Sequence, residues 1–119
     1  MNTPVRLQRT RTDRASIPTA IYVGRGSRWA NPFRSDRFGH ARATGIHRAW
    51  LAGRISLRTI LSLGFNDREA MALMRLRIRI LQDLHLLIGR DLICWCNLGS
   101  KWCHGDTLIA AANPIAIAA

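Results

Sequence analysis

Two short β-branched segments, separated by a long run of helical periodicity, constrain this chain more than any other feature. Ala20-Ile21-Tyr22-Val23 reads as a strand that stops at the glycine turn Gly24-Arg25-Gly26-Ser27, and Asp91-Leu92-Ile93-Cys94-Trp95-Cys96 reads as a strand opened by Gly89. Between them three helices are expected. The first starts near Ala41, carries Ile46, Trp50 and Leu51 on one face with Arg42, His47 and Arg54 elsewhere, and ends at Gly53. The second covers Ser56 to Leu63, closed by Gly64. The third is capped by Asn66 or Asp67 with Glu69 in its first turn, and its apolar residues so nearly encircle it that it should be mostly buried, with Arg68, Arg75, Arg79 and Gln82 on one polar edge. A last helix begins near Cys103 or His104 and ends before Pro114, and Val5 to Arg9 alternates like a half-buried strand. Strands separated by helices predict an α/β fold, a small layered sheet with helices that is Rossmann-like by analogy alone.

At 119 residues and 48% hydrophobic content, the chain suits one domain spanning 1–119, with a basic arm at about 9–18 and an apolar tail at 114–119. The start lacks the apolar run of a signal peptide, and no stretch of about 18 uncharged apolar residues is present, so no membrane association and a cytoplasmic location are expected. Cys94, Cys96 and Cys103 lie within ten residues of one another, a pattern unlike a disulfide scaffold, and read as a site or a buried patch. The formal charge of +11 comes from 17 Arg and one Lys against seven acids. Such a field draws phosphates and nucleic acid, although arginine in place of lysine is also what a GC-rich coding genome produces.

The glycine turn is the first candidate binding element. Gly24 and Gly26 allow positive backbone torsions, so successive amides can form a nest for a phosphate or carboxylate, with Arg25 and Arg28 adding charge and Ser27 a donor. It is neither a Walker loop nor a full dinucleotide fingerprint. Trp29 and Phe33 are placed either to stack on a base or to plug the end of a core. Asn31, before Pro32, either caps a turn or reads a ligand's edge.

The second candidate element begins at Cys103, where a helix start stabilises an anion and lowers a thiol pKa. With His104 or a histidine from elsewhere in the chain as base and Asp106 as orienter or proton acceptor, this is a candidate catalytic set. The plain alternative is a buried thiol and a favourable first-turn charge. Cys94, Cys96, Cys103 and His104 also have the donor chemistry of a Cys3His zinc site, but a strand-borne pair and two adjacent residues do not have the usual ligand spacing, so no metal ligand is assigned. Without metal, Cys94 and Cys96 read as core. If the two main strands are neighbours, Gly24 to Asn31 and Asn97 to Asp106 meet in one crevice at the carboxyl edge of the sheet.

Together Tyr22-Val23-Gly24-Arg25-Gly26-Ser27-Arg28-Trp29-Ala30-Asn31-Pro32-Phe33 and Cys94-Trp95-Cys96 with Cys103-His104-Gly105-Asp106 resemble domain-of-unknown-function family 4326, a set of short bacterial and phage proteins. The resemblance runs from Val5 to Asn113 and includes Trp50-Leu51 and Gly89. It departs at Ala30, where members usually have glycine, and in the longer Asn97–Trp102 spacer. The resemblance implies no particular activity or cofactor. Residue chemistry leaves three functions open: a pocket for a phosphate-bearing nucleotide-class ligand, with Cys103, His104 and Asp106 as catalysts if it is an enzyme; a sequence-nonspecific nucleic-acid module using Arg6 to Arg14 and the Arg68, Arg75, Arg79 edge; and a Cys/His metal-stabilised structural domain.

Overall fold

A computed structural model describes residues 4–8, 20–94 and 103–113. Among them three strands form one parallel sheet, β1 (Arg6–Gln8), β2 (Ile21–Tyr22) and β3 (Leu92–Cys94), in the order β1-β3-β2. The register sets both Arg6 and Ile21 beside Leu92. All three residues of β3 are buried, as expected of a central strand covered on both faces. The two expected strands are therefore neighbours. Trp95, Cys96, the basic arm beyond Gln8 and the apolar tail lie outside the described residues.

Five helices are described: α1 (Ser35–Phe38), α2 (His40–Leu51), α3 (Leu57–Ser62), α4 (Asp67–Asp83) and α5 (His104–Ala112). No helix among the described residues is long and apolar enough to cross a membrane. Helix α1 was not legible in the sequence, being one turn set between Arg34 and Gly39. The start of α4 follows its sequence signals: the Asn66 side chain accepts from the Glu69 amide while the Glu69 carboxylate accepts from the Asn66 amide, a reciprocal cap. The last turn tightens into a 3-10 segment at Leu84–Leu87 before Gly89 (φ 70°) redirects the chain into β3.

Two burial expectations are corrected. Helix α4 is not mostly buried: Ala70, Leu73 and Ile80 face the core, while Met71, Met74, Ile78 and Leu81 are exposed. A nearly apolar circumference does not say which arc a neighbour covers, and here α3 and the 3-10 segment pack against only part of it. Conversely, His47 belongs to the buried face of α2 with Ala43, Trp50 and Leu51, because α2 is held between α5 and an aromatic cluster.

That cluster centres on Phe33, fully buried, whose ring meets Trp50 at 5.5 Å, Phe65 at 5.9 Å and Phe38 at 6.5 Å, all edge-on. It binds the end of the glycine loop to α1, α2 and the α3–α4 connection. Arg77 fastens α4 to α2 by donating from Nε to the carbonyls of Trp50 (2.9 Å) and Leu51 (3.2 Å) at the end of α2. Phe33→Ala should cost about 3–5 kcal/mol in urea denaturation, the range for a fully buried aromatic. A loss below about 1 kcal/mol would show that the cluster does not hold the loop.

Candidate functional site

Because β2 and β3 run parallel side by side, the segments that follow them leave the sheet at the same edge. The structure joins them there directly. His104, the first residue of α5, donates from Nε2 to the Val23 carbonyl at 2.6 Å, just ahead of the glycine turn. A carbonyl only accepts, so the neutral ring carries its proton on Nε2 and leaves Nδ1 as an acceptor. Burial lowers the His104 pKa from its ordinary value and so favours the neutral ring near pH 7, an effect the hydrogen bond to the Val23 carbonyl opposes in part.

The turn departs from the expected pair of positive torsions. Of its two glycines only Gly26 has a positive torsion (φ 90°). Gly24 is required for a different reason: a Cβ there would lie 2.6 Å from the Tyr22 hydroxyl, whose ring covers it and which donates to the Arg25 carbonyl. Ser27 is spent on closing the loop. Its amide and Oγ both donate to the Gly24 carbonyl, and Oγ accepts from the Trp29 amide. The Ser27 hydroxyl and amide are thus satisfied within the turn.

Beside that turn lies a cavity of about 350 Å³ lined by Arg25, Asn31, Arg34, His40, Thr44 and His104 together with the Ala30–Phe33 backbone. No carboxylate is among its described lining residues. Arg25 is exposed at its mouth. Arg34 makes a paired contact with Asp36 at 3.0 Å, and this hydrogen bond holds the Asp36 carboxyl below its ordinary range. Asn31 shapes the wall, with Oδ1 accepting from the Phe33 amide (2.9 Å) and Nδ2 donating to the Ala43 carbonyl of α2 (3.2 Å), so it caps a turn and clamps a helix at once.

The other residues singled out from sequence fall elsewhere. Arg28 turns toward the end of α4, where it pairs with Asp83 and lies over the Trp29 ring at 5.1 Å; Trp29 itself is buried. Cys103 is 2% exposed and sits behind the cavity wall, its Sγ 3.1 Å from that of Cys94, which is equally buried. Asp106 accepts from Arg6 Nε at 3.1 and 3.2 Å. Arg6, assigned from sequence to the basic arm, is instead a structural cation: its side chain is only 6% exposed against 49% for Asp106. Burial disfavours its charge, but Cys103, Asp106 and Cys94 more than offset this, and its pKa is raised. Among the described residues no three His, Cys, Asp or Glu side chains gather into a metal-holding group, and Cys96 lies outside them.

Sequence reasoning missed Arg34, His40 and Thr44, which enter the cavity wall through α1 and the start of α2. The positive torsion of Gly39 (φ 80°), which turns the chain between these helices, is the one local signal that marks the place. It also missed His47. That ring is fully buried, edge-on to His104 at 5.6 Å, and neither of its nitrogens has a hydrogen-bond partner among the described residues.

A search of family models matches the family described as "Domain of unknown function (DUF4326)" over residues 5–114, nearly the whole chain. The chain belongs to the DUF4326 family. No curated protein and no solved structure matches it. The matched span includes both the glycine turn and the α5 start, so the cavity between them is built from DUF4326 sequence throughout.

Burial pushes the His47 pKa down from 6.5 to about 3, with the neighbouring His104 adding to the effect. The folded state then binds fewer protons than the unfolded state between those values, so stability should fall as pH drops from about 6.5 toward 3. One such group contributes a slope of up to about 1.4 kcal/mol per pH unit. Between about pH 6 and 5, above the carboxylate range, denaturation of His47→Leu should show a visibly shallower dependence than the parent. Equal slopes would mean that His47 is not held neutral in the fold.

Proposed function

We propose that this chain binds a phosphate-bearing, nucleotide-class small molecule in the cavity between the glycine turn and the start of α5. One observation carries the reading: Arg25, Arg34, His40 and His104 converge on a concave space of about 350 Å³ whose described lining includes no carboxylate. That volume falls in the range of small-ligand sites, and the guanidinium groups of Arg25 and Arg34, the latter shared with Asp36, raise the local concentration of anions. Two helix starts, those of α2 and α5, open toward it through His40 and His104, and neither has a side-chain cap, which adds to the favourable field.

As to chemistry, His104 is the residue of the Cys103, His104 and Asp106 set that reaches the cavity. Its neutral ring, oriented by the Val23 carbonyl, is suited to act as a general base or as a hydrogen-bond acceptor for a ligand hydroxyl. In this reading Cys103 packs against Cys94 and Asp106 orients Arg6, and both position the start of α5. The setting is cytoplasmic, where Cys94 and Cys103 stay as thiols.

A second reading, sequence-nonspecific nucleic-acid binding, is favoured by the exposed row Arg68, Arg75 and Arg79 on α4. Its signature is an affinity that falls steeply with salt. Negligible DNA and RNA binding at low salt would end it.

Thermal denaturation with a panel of nucleotides and nucleotide sugars tests the first reading. A cognate ligand at about one hundred times its Kd should stabilise the fold by about 2.7 kcal/mol. Arg25→Ala, an exposed position, should leave the unliganded melting point in place and weaken the ligand about tenfold, the scale of one charge-assisted contact. If no phosphate compound raises the melting temperature, the cavity is not a phosphate site.

A further inference from the structure

The glycine loop has a second cavity on its other side. About 530 Å³ in volume, it lies between the loop and α4 and shares Ala30, Asn31 and Pro32 with the first, so these three residues form a ridge with a cavity on either flank. Both cavities touch the same three residues, so they meet along this ridge. A single ligand laid over the ridge would touch both.

The two cavities differ in chemistry. The first concentrates imidazoles and guanidinium groups. The second is walled by Pro32, Leu76 and Ile80, with the guanidinium groups of Arg28 and Arg79 at its edges. A bare phosphate would gain nothing from the apolar wall. Arg28, moreover, is already matched by the Asp83 carboxylate and braced over Trp29, so it offers a fixed planar hydrogen-bonding edge more than an unspent charge. An apolar wall facing fixed guanidinium groups suits a flat heteroaromatic ring with polar atoms around its rim, which is the chemistry of a nucleobase.

We infer that the second cavity is the base subsite of the same ligand, a nucleoside phosphate whose anionic end lies in the first cavity and whose ring crosses the Ala30–Pro32 ridge to rest against Leu76, Ile80, Arg28 and Arg79. The inference rests on the phosphate reading above and specifies the ligand class. It also gives α4, which contributes nothing to the first cavity, a part in recognition, and it makes Arg79 a specificity-determining residue.

Isothermal titration of the full chain with ribose 5-phosphate and with the common nucleoside 5′-monophosphates tests this. Ribose 5-phosphate should bind, and at least one nucleotide should bind about tenfold more tightly, the scale of one base contact. Arg79→Ala, at an exposed position on α4, should remove most of that increment and leave ribose 5-phosphate affinity unchanged. Equal affinity for ribose 5-phosphate and every nucleotide would overturn the base subsite while leaving the phosphate site standing. An equal loss for both classes of ligand in Arg79→Ala would also overturn it, because Arg79 would then act only through its general field. If neither class binds the parent protein, the phosphate reading fails and the base subsite fails with it.

Discussion

Val23 gives its amide to the Ile93 carbonyl of the central strand at 2.9 Å and receives the His104 ring on its own carbonyl at 2.6 Å. One fully buried residue thus ties β2 to β3 and fixes where α5 begins relative to the glycine turn. Parallel pairing makes this possible, because strands that run the same way release their following segments at the same edge. Shifting that pairing by one residue would separate His104 from the turn and dissolve the cavity wall between them.

Around this link the molecule uses its polar groups mainly for positioning. Ser27 closes the turn, Asn31 ties the loop to α2, and Arg6 with Asp106 braces the first turn of α5 against β1. Cys94 and Cys103 fill the space beneath that turn. These residues drew attention in the sequence because their types carry chemistry. In the fold, several of them hold the wall in place, and the groups that face the cavity are Arg25, Arg34, His40 and His104. His47 behind the wall and the Thr107 hydroxyl are exceptions to this pairing among the described residues. A buried imidazole without a partner is costly, and the cost is tolerable here because the ring stays uncharged.

The aromatic cluster explains why the loop has a definite shape over a length that contains no regular element. Phe33 anchors its far end, and Trp29 anchors the middle beneath Arg28. With both anchors inside, the intervening Ala30–Pro32 segment is pressed outward as a ridge that borders two cavities. A more flexible loop would have to be ordered by its ligand at an entropic cost that this arrangement reduces in advance.

Local signals were sufficient for the strands and for the helices other than α1. Alternation marked β1, the β-branched run before Gly24 marked β2, Gly89 marked the entry to β3, and Asn66 with Glu69 marked the start of α4, because each depends on neighbours within a few residues. The convergence of the Gly24 turn on His104 was legible only as a condition, that β2 and β3 be adjacent. Sequence could not meet that condition, since strand order is decided by contacts between residues some seventy positions apart. The same limit applies to burial. Periodicity shows that α4 has apolar surface and sets His47 apart from the Ile46, Trp50 and Leu51 face of its helix, but only the packing of α5, α2 and the aromatic cluster decides which arc is covered. The sequence by itself determined the parts and their chemistry. Tertiary structure decided which of them share a space, because that depends on the distances between elements rather than on the order of residues within them.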